Sequence, residues 1–107
     1  MTIIKIKQNG TRISKLAFLS RLTDSEYIAI DLASIDDTTA TIESRTNSAA
    51  IRRYMDKVRS AVYIDLSRDD IIAGLHALSL LGFLTAPRVD AILNDEITED
   101  ERYRGVE

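Results

Sequence analysis

Residues 69–93, DDIIAGLHALSLLGFLTAPRVDAIL, read as helix, glycine turn, helix, and this stretch limits the folds open to the chain more than any other. Ser67 is a suitable cap for the first of these helices, with Asp69 and Asp70 in its first turn, where they favour the helix dipole. The helix is expected to run to about Leu81 and to stop at Gly82 in a left-handed terminus. Thr85 caps the second helix, Pro87 is tolerated in its first turn, and Asn94 ends it. At 100° per residue Ile71, Leu75 and Leu78 share a face, whereas Ile72, Leu80 and Leu81 fall on others. A helix apolar nearly all round must be covered nearly all round. In a chain of 107 residues it is therefore either the central helix or one covered on one side by a partner. Ile72, Leu80, Leu81 and Phe83 are thus candidate partner contacts.

The same outline suits a DNA-reading helix-turn-helix, whose second helix presents donors to base edges beside phosphates. Here that helix is APRVDAILND, with one Arg, two acids in Asp90 and Asp95, and Pro87 at the end that would enter the groove. Charge and shape both oppose a DNA reader. Val89, Ile92 and Leu93, with Leu81, Phe83 and Leu84, suit a packed helical hairpin instead.

Upstream, Thr2–Lys7 is β-branched and ends in the turn residues Gln8-Asn9-Gly10, so a short strand is expected there. A lone strand needs partners for its backbone, and the other stretches with β character are Thr39–Ile42 and Val62–Leu66. Ile3, Ile4 and Ile6 are therefore candidates for pairing with another chain. From Ser14 the pattern turns helical, anchored by Leu16, Phe18, Leu19 and Leu22. Thr23-Asp24-Ser25-Glu26 is a capping box that opens a second helix to about Ile35, with Ile28, Leu32 and Ile35 as its apolar stripe. Residues 36–47 are polar and Thr-rich, which predicts a loop. A third helix from Asn47 or Ser48 places Ile51, Tyr54, Met55, Val58, Ala61 and Val62 on one stripe and Arg52, Arg53, Asp56, Lys57 and Arg59 opposite. Residues 95–107 read as a charged tail with a further capping pair at Thr98 and Glu101, outside a single helical domain of residues 1–94.

Charge is segregated although the net value is only −3. Residues 1–23 carry five bases and no acid, and Asp24–Glu43 carries six acids and no base. Such blocks pair within a fold or between copies, and they do not make a uniformly basic nucleic-acid binder. The four bases of the third helix could contact phosphates, but they also suit the wet face of an amphipathic helix. Absent Cys excludes disulfides and thiolate metal sites. His76 has no second His or Cys to complete a metal or nucleophile set, and the expectation for it is a partly buried helix residue with one bonded nitrogen. The paired carboxylates are sequence neighbours at helix ends or in the tail, not opposed across a cleft. No Gly-rich phosphate loop exists, and no apolar run approaches the roughly 18 residues of a membrane span. MTIIKIKQNG lacks the apolar core of a signal peptide, so synthesis in the cytoplasm is expected. Neither catalytic residues, a cofactor nor a metal is expected.

The stretches KLAFLSRLTDSE, YIDLSRDD and AGLHALSLLGFLTAPRVDAIL resemble small proteins encoded in the tail-gene region of tailed bacteriophages and prophages. The shared elements within them are Lys15–Glu26, Tyr63–Asp69 and Ala73–Leu93. The resemblance implies a phage accessory protein, a minor virion component at the tail-fibre or baseplate region that binds other tail proteins or copies of itself. The alternatives are a small soluble phage protein that binds a host protein or chaperones a tail fibre, and a DNA-binding regulator. The fold expected is mainly α, a small bundle of about five short helices with one or two short strands in the N-terminal half.

Overall fold

The computed structural model describes residues 10–104, so the Thr2–Lys7 strand and the pairing role of Ile3, Ile4 and Ile6 lie outside the described residues. The described chain is mainly helical, with five helices and a two-stranded antiparallel sheet. In chain order the elements are β1 (Arg12–Ser14), α1 (Lys15–Ser20), α2 (Asp24–Ala33), α3 (Ile42–Ser60), β2 (Tyr63–Asp65), α4 (Asp69–Leu80) and α5 (Ala86–Asn94).

The sheet pairs Arg12 with Asp65, Ile13 with Ile64 and Ser14 with Tyr63. Ile13 and Ile64 point into the core, where both are almost fully buried. The second edge of β1 is occupied by the segment expected to be a free tail. Ser14 N donates to Glu101 O at 2.8 Å, Tyr103 N donates to Arg12 O at 3.1 Å, and Ile13 bridges Arg102. β1 thus has backbone partners on both sides, as a buried strand requires. Tyr103 packs against Tyr63 in a tilted pair with ring centroids 4.9 Å apart, and the Arg12 guanidinium lies over the Tyr63 ring, 4.8 Å from its centroid.

Arg21 fixes the same segment from the α1–α2 turn. Its Nε and Nη2 reach both oxygens of Glu101 at 2.8 and 2.9 Å, and its Nη1 donates to Ile92 O at the end of α5 at 2.8 Å. The charged 95–107 segment therefore packs onto the domain over its described part, with Ile97 against the core. Thr98 and Glu101 make the reciprocal capping pair, at 3.0 and 3.3 Å.

The local signals of the helix starts hold where they are strongest. Glu26 N donates to Thr23 Oγ1 and Thr23 N to Glu26 Oε1, at 3.1 and 2.9 Å. Thr85 accepts from Arg88 N. Ser67 does not cap α4: its hydroxyl donates to Asp65 Oδ1 at 2.7 Å, and the helix starts behind Arg68 with no side-chain cap. Asp65 already collects the Ser67 amide and the Thr11 hydroxyl, and this local turn outcompetes the cap. Thr39–Ile42 is not a strand. Thr41 accepts from Ser44 N and starts α3 at Ile42, five residues or so before the expected start near Asn47. α3 ends at Ser60, so Val62 leaves the helical stripe and is exposed.

The core is a single cluster to which every helix contributes, including Phe18, Ile30, Met55, Val58, Leu75, Val89 and Ile92. α3 and α4 meet at Tyr54 and Gly74. The Tyr54 hydroxyl donates to Ile71 O at 2.9 Å, and a Cβ on Gly74 would sit 1.9 Å from a carbon of the Tyr54 ring. Burial pushes the Tyr54 phenol well above its ordinary value. Gly74 is thus a close-approach glycine in a helix interior, where glycine is otherwise unfavourable by about 1 kcal/mol.

Candidate functional site

The α2 stripe expected to face the core faces outward instead, and the helix ends at Ala33, so Ile35 lies just past it. Ile28, Leu32 and Ile35 are 59, 65 and 63% exposed, while Ile30 is fully buried. With 3.6 residues per turn, Ile28 and Leu32 each lie about 160° from Ile30, one on either side of the direction that leaves the domain. The helix carries apolar residues on both faces, and a distant pair decides which turns inward. Glu26, on the Ile30 side, accepts from Arg88 Nε and Nη2 of α5 at 2.7 and 3.0 Å. The same Arg88 donates to Arg21 O at 2.8 Å. That pair holds the Glu26 carboxyl below its ordinary value, through the Arg88 hydrogen bonds first. Of the anchors expected from Ser14 onward, Phe18 and Leu22 are buried as read, whereas Leu16 is exposed.

The α4–α5 corner presents a second apolar surface. Gly82 has φ +91°, the left-handed terminus its position required. Phe83 N donates to Leu78 O at 2.9 Å and Gly82 N to Ser79 O at 3.0 Å, the paired bonds of a Schellman terminus. The motif turns Phe83 and Leu84 back onto the core and leaves Leu80 at the outer side of the last turn, 89% exposed, with Leu81 exposed beside it. Ile72 is half-buried, so of the four α4–α5 candidates Leu80 and Leu81 are the most open. Leu81 and Phe83 also line a groove of about 300 Å³ with Ala33, Ser48 and Ile51. One wall of that groove is the first half of α3, residues 42–50, which stands exposed on nearly all sides. Arg45 in this arm is paired with Asp36 through two bonds of 2.9 Å.

Many of the titratable groups are engaged in ion pairs and hydrogen bonds within the fold. Lys57 and Arg68 both bond Asp70, at 2.9 and 2.8 Å, and together draw its carboxyl down to about 2. Arg52 donates to Ser34 O, and Arg59 bonds Asp31 and the Tyr27 hydroxyl. Of the four bases proposed for phosphate contact, Arg53 is the one with no such partner among the described residues. The Arg of α5 is turned inward onto Glu26, and Asp90 on that helix is exposed and accepts from Asn94. His76 is exposed, not partly buried, because it lies on the α4 face opposite the Ile71–Leu75–Leu78 core. Among the described residues no three His, Cys, Asp or Glu side chains are placed to hold a metal ion, and no helix is long and apolar enough to cross a membrane.

Sequence reasoning named Leu80, Leu81 and Phe83 but assigned Ile28, Leu32 and Ile35 to the core. The missed signal is the acid on the flanks of that stripe, at Asp24, Asp31 and Asp36, where a core-facing stripe would be bordered by residues able to pack. Comparison with protein-family models, with curated proteins and with solved structures finds no match in any of the three.

Proposed function

We propose that this chain is a non-enzymatic binding protein of a tailed phage, a minor component of the tail-fibre or baseplate region that attaches to other tail proteins. The observation that carries the reading is the α4–α5 corner. A Schellman terminus is a rigid device, and here it fixes two adjacent leucines outward beside a groove, where no described residue buries them. An exposed apolar pair on a rigid corner is suited to fill a pocket on a partner. The sequence resemblance supplies the phage context, and the engaged state of the charged side chains supports binding over chemistry.

The test is quantitative mass spectrometry of purified particles from a phage that encodes the chain. The chain is expected in particles at a fixed ratio to other tail proteins, and Leu80→Asp with Leu81→Asp is expected to remove it while the variant remains folded. Leu80 is 89% and Leu81 40% exposed, so the variant's stability in thermal unfolding should fall by no more than the cost of two acids at a helix C-terminus, about 1–2 kcal/mol. Absence of the parent chain from particles would overturn the virion assignment and favour a soluble role on a host protein or as a tail-fibre chaperone.

A further inference from the structure

Helix α3 divides at Ile51. Its second half buries Ile51, Met55 and Val58 in the core, whereas none of residues 42–50 is buried. At 1.5 Å per residue this arm carries the helix about 14 Å beyond its anchored half. A helical segment so short is marginal in water, and in proteins such segments are held mainly by a packed apolar face. The arm has no such face. Ser44, Thr46, Asn47 and Ser48 are all weaker helix formers than Ala, because of stiff side chains or competing bonds to the backbone. The Thr46 hydroxyl makes such a bond, donating to Ile42 O at 2.7 Å.

What keeps the arm in place is therefore polar. Thr41 Oγ1 accepts from Ser44 N at 3.1 Å, a cap that forms only when the first turn is already helical. Arg45 donates through Nε and Nη2 to the two carboxylate oxygens of Asp36, both at 2.9 Å. Asp36 belongs to a hydrogen-bonded turn and not to a slack tether, since Asp37 accepts from Thr39 N and Oγ1 at 2.9 and 2.6 Å. Among the described residues the Asp36–Arg45 pair is the one ion pair that joins the arm to the segment after α2. At the base, Arg52 in the anchored half donates to Ser34 O at 2.8 Å. Ser44, Asn47 and Ser48, at i, i+3 and i+4, form the arm's side of the groove that Ile51, Leu81 and Phe83 also line.

We infer that residues 42–50 are a hinged wall of this groove: they open and close as a local unit about Ile51, latched by the Asp36–Arg45 pair, while the rest of the domain stays folded. Opening uncovers no buried residue of the arm, so the core does not resist it. Closing completes the groove beside Leu81, which makes the shape of that surface depend on the latch. The use of the wall rests on reading the α4–α5 corner as a binding surface; the hinge itself does not.

Amide hydrogen exchange of the full chain, read residue by residue by NMR, tests the hinge. After correction for intrinsic rates, the amides of residues 46–50 are expected to exchange about a hundredfold or more faster than those of residues 55–59. Their protection should also stay constant in urea too dilute to unfold the domain, the mark of local opening. Asp36→Asn removes the charge and one acceptor oxygen of the latch, and it should speed exchange of residues 46–50 by about twofold to fivefold while leaving residues 55–59 and the Tm unchanged. Thr46→Ala, at an exposed position outside the groove, should slow arm exchange by about twofold. Equal protection of the two halves, or arm exchange that follows global unfolding in urea, would overturn the hinge. An Asp36→Asn chain whose arm exchanges as before, or whose two halves lose protection together, would overturn the latch. These readouts concern the free chain and are separate from the particle experiment: a chain without a hinge can still be held in particles through its corner.

Discussion

Replacing Gly74 by Ala should destabilise this protein, against the usual gain from that substitution in a helix. In an open helix interior Ala is better than Gly by about 1 kcal/mol. Here the new Cβ would meet the Tyr54 ring at 1.9 Å from Cε1 and 2.4 Å from Cδ1 and Cζ, so the ring has to move by more than 1 Å. It cannot move freely, because its hydroxyl is tied to Ile71 O and its body packs against the core. Overpacking of this kind costs about 1–3 kcal/mol, and losing the hydrogen bond costs about 1 more. The net expectation is a loss of about 1–3 kcal/mol, or a drop of roughly 5–20 °C in Tm for a domain of this size. Tyr54→Ala removes the obstacle at its own cost. In that background Gly74→Ala should stabilise by about 1 kcal/mol, reversing sign. Thermal and urea unfolding of the parent, both single variants and the double variant measure the cycle. A rise in Tm for Gly74→Ala with Tyr54 in place, or an equal effect in both backgrounds, would refute the close-approach argument.

Other expectations follow from the ion pairs and the exposed faces. Arg21→Met should lower stability by about 2–4 kcal/mol in chemical unfolding, since it strands the half-buried Glu101 carboxylate and the carbonyl of Ile92. A loss below about 0.5 kcal/mol would mean the 95–104 segment is not held by this residue. Glu26, Glu101 and Asp70 all titrate below their ordinary values because Arg88, Arg21 and Lys57, respectively, hydrogen-bond the ionised form. Groups lowered in this way stabilise the fold while ionised. Their contribution is complete above the ordinary carboxylate range and is lost as pH falls through the folded values, which reach about 2 for Asp70. Tm measured from pH 7 downward should therefore hold to about pH 5 and fall steadily below it, and a flat profile to pH 2 would contradict the assigned pairs. Leu32→Ser alone should change Tm by less than about 0.5 kcal/mol's worth, because the side chain faces solvent; a large loss would return that stripe to the core.

Much of the fold is written locally. The capping box at Thr23, the cap at Thr85 and the left-handed Gly82 each depend on residues within a turn of one another, and all three appear in the structure as read from the sequence. The early start of α3 is less legible: residues 42–50 are exposed on nearly every side, so no 3.6-residue apolar period marks them. The orientation of α2 is faintly legible from its own residues, since both of its faces are apolar and only the acids Asp24 and Asp31 mark the outward one. Glu26 and Arg88, 62 positions apart, make the choice. The 95–104 segment looks like a solvated tail by composition, yet Glu101 is 80 positions from the Arg21 that binds it. The candidate surfaces divide the same way. Leu80 and Leu81 are found because they follow a local turn, whereas the α2 face has only its flanking acids to mark it until the side of the helix already used is known.

Binding through the exposed apolar corner, as proposed, has a direct test in the particles themselves. Hydrogen–deuterium exchange compares the free chain with the same chain in purified particles. Slowed exchange is expected in particles across the α4–α5 corner, residues 78–84, with little change at the buried β1–β2 pair. Particle-associated chain whose corner exchanges as fast as in the free protein would contradict it.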